Sequence, residues 1–233
     1  MARKRRTSAV RRIVRWGWKF LLVVWAFTVV QVLLFRFITP PFTAMMVWDW
    51  IQGREKARLT LPGAVWHPLK EISPQLRKAV LAGEDQRFLS HHGFDFTEMS
   101  KALKDLVFKR GHRGASTITM QVARSVFLWP KRSWLRKVAE AYYTVLIEIL
   151  WSKGRTFEIY LNTVDWGRGA VGAEAASRKY FRVSCSRVSR FQAALLAAIL
   201  PNPHRWSATN PTSHVLKRQK RILGDMEKMP LLS

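Results

Sequence analysis

The pattern of apolar and polar positions divides this chain into two regimes. From Phe20 to Phe35 the run FLLVVWAFTVVQVLLF is apolar except at Thr28 and Gln31, and because Arg36 can snorkel, the span continues to Ile38. At about 1.5 Å per residue this suffices for a tilted crossing of a hydrocarbon core of roughly 30 Å. A cleavable signal peptide has the same basic-then-apolar order, but this run is longer than a typical signal core and no small-x-small site follows it. Thr39-Pro40-Pro41-Phe42 stops the helix, and residues 45–70 read as an irregular connector. Val47, Trp48, Trp50, Ile51 and Trp66 there suit an interfacial aromatic belt or plain core packing equally well.

Beyond Ser73 the apolar period is helical. Ser73 caps a helix with Pro74 at its first position, running to about Glu84. Asp95-x-x-Glu98 has the form of a capping box opening a second helix through Phe108, closed by Gly111. Further helices are predicted over 116–128, 134–151, 156–163, 171–180, 189–200 and 212–226. Short β-branched runs are nearly absent, so the fold class is all-α, or mainly α. On the fourth helix, Leu135, Val138, Tyr142, Val145, Leu146, Ile149 and Leu150 cover one broad side, and Lys137, Glu140, Thr144 and Glu148 form a narrow polar stripe. The apolar side should be buried, leaving the stripe to face a strip of solvent or a cleft.

Charge refines the picture. Eight cations between Arg3 and Lys19 precede the span, and removing these and Arg36 from the net +25 leaves +16 on the remainder of the 233 residues. Cations clustered before the span place the N-terminus in the cytoplasm and everything after Pro40 outside it. Nucleic acid is then out of reach, and a domain this basic suits an anionic bilayer or a phosphorylated lipid. The expected layout is a basic cytoplasmic tail (1–19), a transmembrane helix (20–38), a membrane-proximal connector (39–70) and an external helical domain (71–233).

Acids are scarce, so their positions matter. Glu84 at a helix end and Glu140 in the polar stripe are two carboxylates suited to glycosyl chemistry, where one handles a proton and another can stabilise charge on the ring. Hydroxyls at Ser116, Thr117 and Thr119 open the third helix, either as ordinary caps or, with its free amides, as an anion site. Arg113, Arg124, Lys131, Arg132, Arg136, Lys137, Lys153 and Arg155 supply cations enough for a pyrophosphate. No P-loop, dinucleotide fingerprint or Asp-x-Asp pair accompanies them. His91 and His92 project apart and read as loop packing, so no metal ligand set is assigned. Gly167, Gly169 and Gly172 read as backbone geometry, and the single cysteine, Cys185, as a structural thiol.

Ordered motifs carry a resemblance. Glu84-Asp85-x-x-Phe88-x-x-His91-x-Gly93-x-Asp95, Gly114-x-Ser116-Thr117-Ile118-Thr119-x-Gln121, Arg136-Lys137-x-x-Glu140, Lys153-x-Arg155-x-x-Glu158-x-Tyr160-Leu161-Asn162 and Gly172-x-x-x-Ala175-Ala176 with Tyr180-Phe181 follow in order. Over about Glu71 to Arg221 the chain resembles the monofunctional biosynthetic peptidoglycan transglycosylases of glycosyltransferase family 51. Met120, Arg124 and Ser125 depart from the glutamine, lysine and asparagine usual there, and Thr163-Val164-Asp165-Trp166 from the usual acidic-aromatic loop. The resemblance implies a lysozyme-like helical domain with a small membrane-proximal lobe, in the bacterial inner membrane with the catalytic domain periplasmic. It implies polymerisation of lipid II into β-1,4 glycan with release of polyprenyl pyrophosphate, with Glu84 as general base and Glu140 as the second catalytic carboxylate, orienting substrate or stabilising charge. It assigns substrate contacts to Asp85, Phe88, Ser116, Thr117, Gln121, Arg124, Arg136, Lys137, Lys153 and Arg155. Its implied partners are lipid II, the growing glycan, membrane lipid and cell-wall synthesis or division proteins. A divalent cation, Mg or Mn, could assist the pyrophosphate. No penicillin-binding Ser-x-x-Lys domain follows, so peptide cross-linking is not expected. Two other readings are a lysozyme-like lytic hydrolase and a membrane-anchored scaffold.

Overall fold

A computed structural model describes residues 2–52, 66–108, 114, 116–131, 133–167 and 169–232, with the backbone alone for residues 2–10 and 49. The chain forms two units, Met1–Ile38 and Thr39–Ser233. The first is one helix, α1 (Ala2–Phe37), which runs unbroken through the basic segment; Arg11–Phe37, 27 residues long, is apolar enough to cross a membrane. The second is helical too, and among its described residues the one β-type contact is a bridge between Asp165 and Val171.

The connector is less irregular than expected, because Thr43 accepts a hydrogen bond from Met46 N and starts α2 (Ala44–Ile51), which packs on α5 (Ile118–Phe127). The remaining helices are α3 (Pro74–Glu84), α4 (Phe96–Val107), α6 (Trp134–Leu150), α7 (Lys153–Thr163), α8 (Ala173–Phe181), α9 (Arg190–Ile199) and α10 (Ser213–Asp225). Side chains of Ser73, Asp95, Thr117, Ser133, Ser152, Ser189 and Thr212 accept from backbone amides in the first turns of α3, α4, α5, α6, α7, α9 and α10. Two starts differ from expectation. Thr117, not Ser116, caps α5, and α7 begins a turn early at Lys153 because Ser152 is available as its cap. The stop expected at Gly111 lies outside the described residues.

Two packed groups form the core. Leu76, Ala79 and Val80 of α3, Ala193, Leu196 and Ala197 of α9, and Val215 and Ile222 of α10 are fully buried together. Small side chains on α9 permit close helix approach. The second group sets α5 against α6 and α7 through Val122, Ala123, Ile147, Ile159 and Tyr160. Phe127 stacks on Tyr143 with ring centroids 4.6 Å apart, which adds to the area buried there.

Helix α6 is turned the opposite way from the prediction. Arg136, Glu140 and Thr144 are buried, whereas Leu135, Val138, Val145 and Ile149 are 54%, 57%, 46% and 71% exposed. The wheel was right about which residues share a face and wrong about which face is inside. The reason is that the polar stripe finds its partners among side chains of neighbouring turns and helices, so burying it satisfies charges.

The loop between α7 and α8 is pinned by Trp166, fully buried, whose Nε1 donates to Leu196 O at 3.2 Å, while Tyr180 Oη donates to Trp166 O at 2.9 Å. Gly167 follows with φ +85°, and a Cβ there would lie 1.9 Å from Pro203 O. Gly167→Ala is therefore expected to destabilise the protein by about 2 kcal/mol or more, since left-handed strain adds to a backbone clash. Thermal unfolding of the detergent-solubilised chain checks this, and an unchanged midpoint would contradict it.

Candidate active site

Glu84 is the last residue of α3, and its side chain is only 12% exposed. Two helices grip the carboxylate. Gln121 Nε2 from α5 donates to Oε2 at 3.0 Å, and Arg218 Nη2 from α10 donates to Oε1 at 3.1 Å and to Gly83 O at 2.8 Å. Tyr160 Oη on α7 donates to Gln121 Oε1 at 3.2 Å and so fixes which way the amide points. Burial pushes the Glu84 carboxyl above its ordinary range, and the hydrogen bond from Gln121 and the charge of Arg218 hold it back only in part. Burial also pushes the Tyr160 hydroxyl well up, so it stays a donor.

Glu140 sits two turns into α6, fully buried. Lys137 Nζ donates to its Oε1 at 2.6 Å, and Arg136 Nη1 approaches Oε2 at 3.4 Å. Lys137 remains 54% exposed, so the pair couples an inaccessible acid to an accessible ammonium. Arg136 Nε is buried without a hydrogen-bond partner. One turn beyond Thr144, Glu148 accepts from Thr119 Oγ1 at 2.6 Å and Lys153 Nζ at 2.9 Å. Because α5 packs on α6, the helix that reaches Glu84 through Gln121 also carries the contacts to the polar face of α6.

The other predicted site residues separate into groups. Asp85 is buried and accepts from His91 Nε2 at 3.0 Å and from Ile118 N at 3.0 Å, tying the loop after α3 to the start of α5. Phe88 is 1% exposed, with Lys153 Nζ 4.5 Å from its ring centre. Thr117 caps α5 and donates to Gly93 O at 2.6 Å. Arg155 pairs with Glu158 and lies over the Trp66 ring, 5.5 Å from its centre. Ser116, Gln121 and Arg124 remain half-buried. Arg113 and Arg132 lie outside the described residues. Cys185 is fully buried, its thiol pushed up to about 12 by burial and by Glu174, as a structural thiol would be.

Two clusters have a spacing that could hold a metal, Asp85–His91–Asp95 and His67–Glu174–Cys185. Their carboxylates are already engaged within the protein, while His91 Nδ1 is buried without a hydrogen-bond partner. Asp95 Oδ1 accepts from Glu98 N at 3.0 Å, and Glu174 Oε2 accepts from Cys185 N at 2.7 Å and Ser184 Oγ at 3.1 Å. Arg218 and Tyr160 are site residues that sequence reasoning did not assign. A signal for Arg218 existed, because it falls between Val215 and Ile222 on the buried face of α10, where an unpartnered cation would be costly.

A family model described as Transglycosylase matches residues 56–227. The chain is 44% identical over 210 residues to a biosynthetic peptidoglycan transglycosylase of Bdellovibrio bacteriovorus, covering 90% of this chain and 84% of the relative. It is 45% identical over 227 residues to one of Pseudomonas putida (96% and 93% covered) and 41% identical over 225 residues to one of Bacteroides thetaiotaomicron (97% and 91% covered).

The raised carboxyl of Glu84 has a cost that depends on pH. A folded-state value above the unfolded one means that charged Glu84 destabilises the fold once pH rises through the folded value, and that the penalty vanishes below the unfolded value. Glu84→Gln removes this pH-dependent cost but also leaves the enclosed Arg218 without its carboxylate, so the expected signature is in the slope: stability of the wild type falls as pH rises from about 4 to neutral through the Glu84 titration, and the variant lacks that fall. Thermal scans of both proteins across that range test it, and parallel midpoint-versus-pH curves would refute it.

Proposed function

The chain belongs to the transglycosylase family, and we propose that it polymerises lipid II into β-1,4 glycan with Glu84 as the general base. Glu84 takes the proton from the acceptor's 4-hydroxyl, the freed oxygen electron pair forms a bond to the anomeric carbon of the growing chain, and the carbon–oxygen bond to the lipid pyrophosphate breaks. One displacement inverts the anomeric centre, without a covalent sugar–enzyme intermediate. The observation that carries this reading is the Glu84 carboxylate itself, held by Gln121 and Arg218 in a buried setting that strengthens it as a base.

The leaving pyrophosphate needs cations. Lys137 is exposed and anchored on Glu140, Arg136 lies beside it, and Arg124 is half-buried on α5. These three, with Ser116, are assigned to the pyrophosphate and sugar. Glu140 is assigned to positioning, since a fully buried carboxylate between two cations orders them and is not free to touch a sugar ring. The same neutralisation disfavours lysozyme-type cleavage, which needs a second carboxylate free to face positive charge on the ring. Asp85, Phe88, Thr117, Lys153 and Arg155 support the site by holding its loops and helices. A resident metal does not fit here: Glu84, Glu140 and Glu148 are each committed to protein donors, so no step is assigned to one.

The apolar stretch Arg11–Phe37 is compatible with a single-pass membrane anchor. Its flanking cations favour an N-terminus in the cytoplasm and a catalytic unit outside it, at the bacterial inner membrane. Helix α4 has no buried residue, and Phe96, Leu103, Leu106 and Val107 are 71%, 61%, 53% and 66% exposed. Apolar faces of this kind, on α4 and on the outer side of α6, suit lipid better than water. The membrane-proximal lobe is assigned to this region, where lipid-borne donor and acceptor arrive in two dimensions.

Glu84→Gln is expected to lower lipid II polymerisation by at least about 100-fold, the contribution of a positioned base. Glu140→Gln should impair it strongly but less completely. Gel analysis of labelled glycan from the full chain reads both, and near-normal turnover by the Glu84 variant would end the base assignment. Replacing Leu103 and Leu106 together with Glu should reduce polymerisation of vesicle-borne lipid II by about tenfold or more while leaving the unfolding midpoint unchanged. Equal rates on vesicles would remove α4 from the membrane contact.

A further inference from the structure

Arg218 reaches the site from the far end of the chain, 134 positions from Glu84. Its side chain is 17% exposed, its Nη2 spans Gly83 O and Glu84 Oε1, and its Nε is buried without a partner. Cations as enclosed as this are retained only where a specific negative group compensates them. The approach depends on Gly83, where a Cβ would lie 3.2 Å from Ile222 Cδ1 and 3.5 Å from Ala197 Cβ, so the missing side chain lets α10 and α9 close on the end of α3. Its double contact also meets a carbonyl at the C-terminal end of α3, where the helix dipole favours a cation and disfavours a carboxylate.

We propose that Arg218 is a positioning residue for glycosyl transfer, holding Glu84 ionised and, with Gln121 on Oε2, fixing the orientation of the carboxylate that takes up the acceptor's proton. The inference rests on the reading of Glu84 as base. When the proton arrives, the Arg218 cation faces a neutral acid, an arrangement that favours returning the proton to solvent and restoring the carboxylate for the next sugar. Other groups around Glu84 do not replace it. Asp85, next in sequence, opposes ionisation; Tyr160 of α7 stays neutral; and Arg221 of α10 acts on Arg218. Arg124 of α5 acts on the Tyr160 hydroxyl. The buried face of α9 against α3 is apolar, Asp225 accepts from Gln86, and Glu227 and Lys228 pair with Arg190 and Asp225.

The test is the pH profile of kcat/KM for lipid II polymerisation by the full-length protein, comparing the wild type with Arg218→Gln and Arg218→Lys. Removing the charge should move the acid limb upward by about one pH unit, with roughly tenfold loss on that limb and recovery at higher pH. Lysine keeps a charge but lacks the planar guanidinium that sets one nitrogen between Gly83 O and Glu84 Oε1, so it should move the limb the same way by less. A merely structural role would lower rates evenly across pH. An unmoved limb in whichever variant folds overturns the inference. Glu84→Gln, assayed in parallel, separates the two failures: an inactive Glu84 variant beside an unmoved limb sinks only the role of Arg218, whereas an active one sinks the base reading as well.

Discussion

A single buried carboxylate organises this molecule. Taking Glu84 out of water costs several kcal/mol unless donors replace the lost solvent, and the donors come from elements that are distant in sequence: Gln121 on α5, backed by Tyr160 on α7, and Arg218 on α10. Gln121 and Arg218 bring α5 and α10 to the end of α3, and Tyr160 reaches it through Gln121. The alanine-rich face of α9 and the glycine at position 83 make the approach of α9 and α10 sterically feasible. Stability and chemistry pull in opposite directions here. The burial that raises the Glu84 carboxyl also costs stability where that carboxyl is charged, a compromise that fits the base role proposed for it.

The second constraint is the orientation of α6. Its charges point inward, where Glu140 gathers Arg136 and Lys137 and Glu148 gathers Thr119 and Lys153, and its aliphatic residues point outward. In water alone such a helix would tend to rotate. In the membrane-facing arrangement proposed above both faces are satisfied, so one orientation of the helix gathers the cations inside and leaves an apolar outer surface. Helix α4 repeats the theme with an apolar face flanked by lysines.

Much of the acidic first motif serves as framework. Asp85 joins His91 to the first amide of α5, Thr117 ties that helix start to Gly93, and Phe88 provides the ring over which Lys153 lies. The density of polar residues between Glu84 and Asp95 thus reflects one acid held from α5 and α10 and several residues that hold the loop around it. Buried polar groups satisfied in this way rigidify a site at the cost of tolerating little change.

What the sequence determined by itself is local. Helix starts follow from a capping side chain a few residues before the apolar period, the membrane-length helix from uninterrupted hydropathy, and the acids from their scarcity in a basic chain. The ordered motifs pointed to the family as well. Tertiary structure alone decided which face of α6 lies inside, because periodicity states which residues are together but not which side has polar partners waiting. It also decided that Arg218 meets Glu84, that Asp85 bridges His91 and the first amide of α5, and that Thr117 rather than Ser116 caps α5. Those outcomes depend on contacts between groups up to 134 positions apart, and no local pattern encodes a distance that only the packing of whole helices creates.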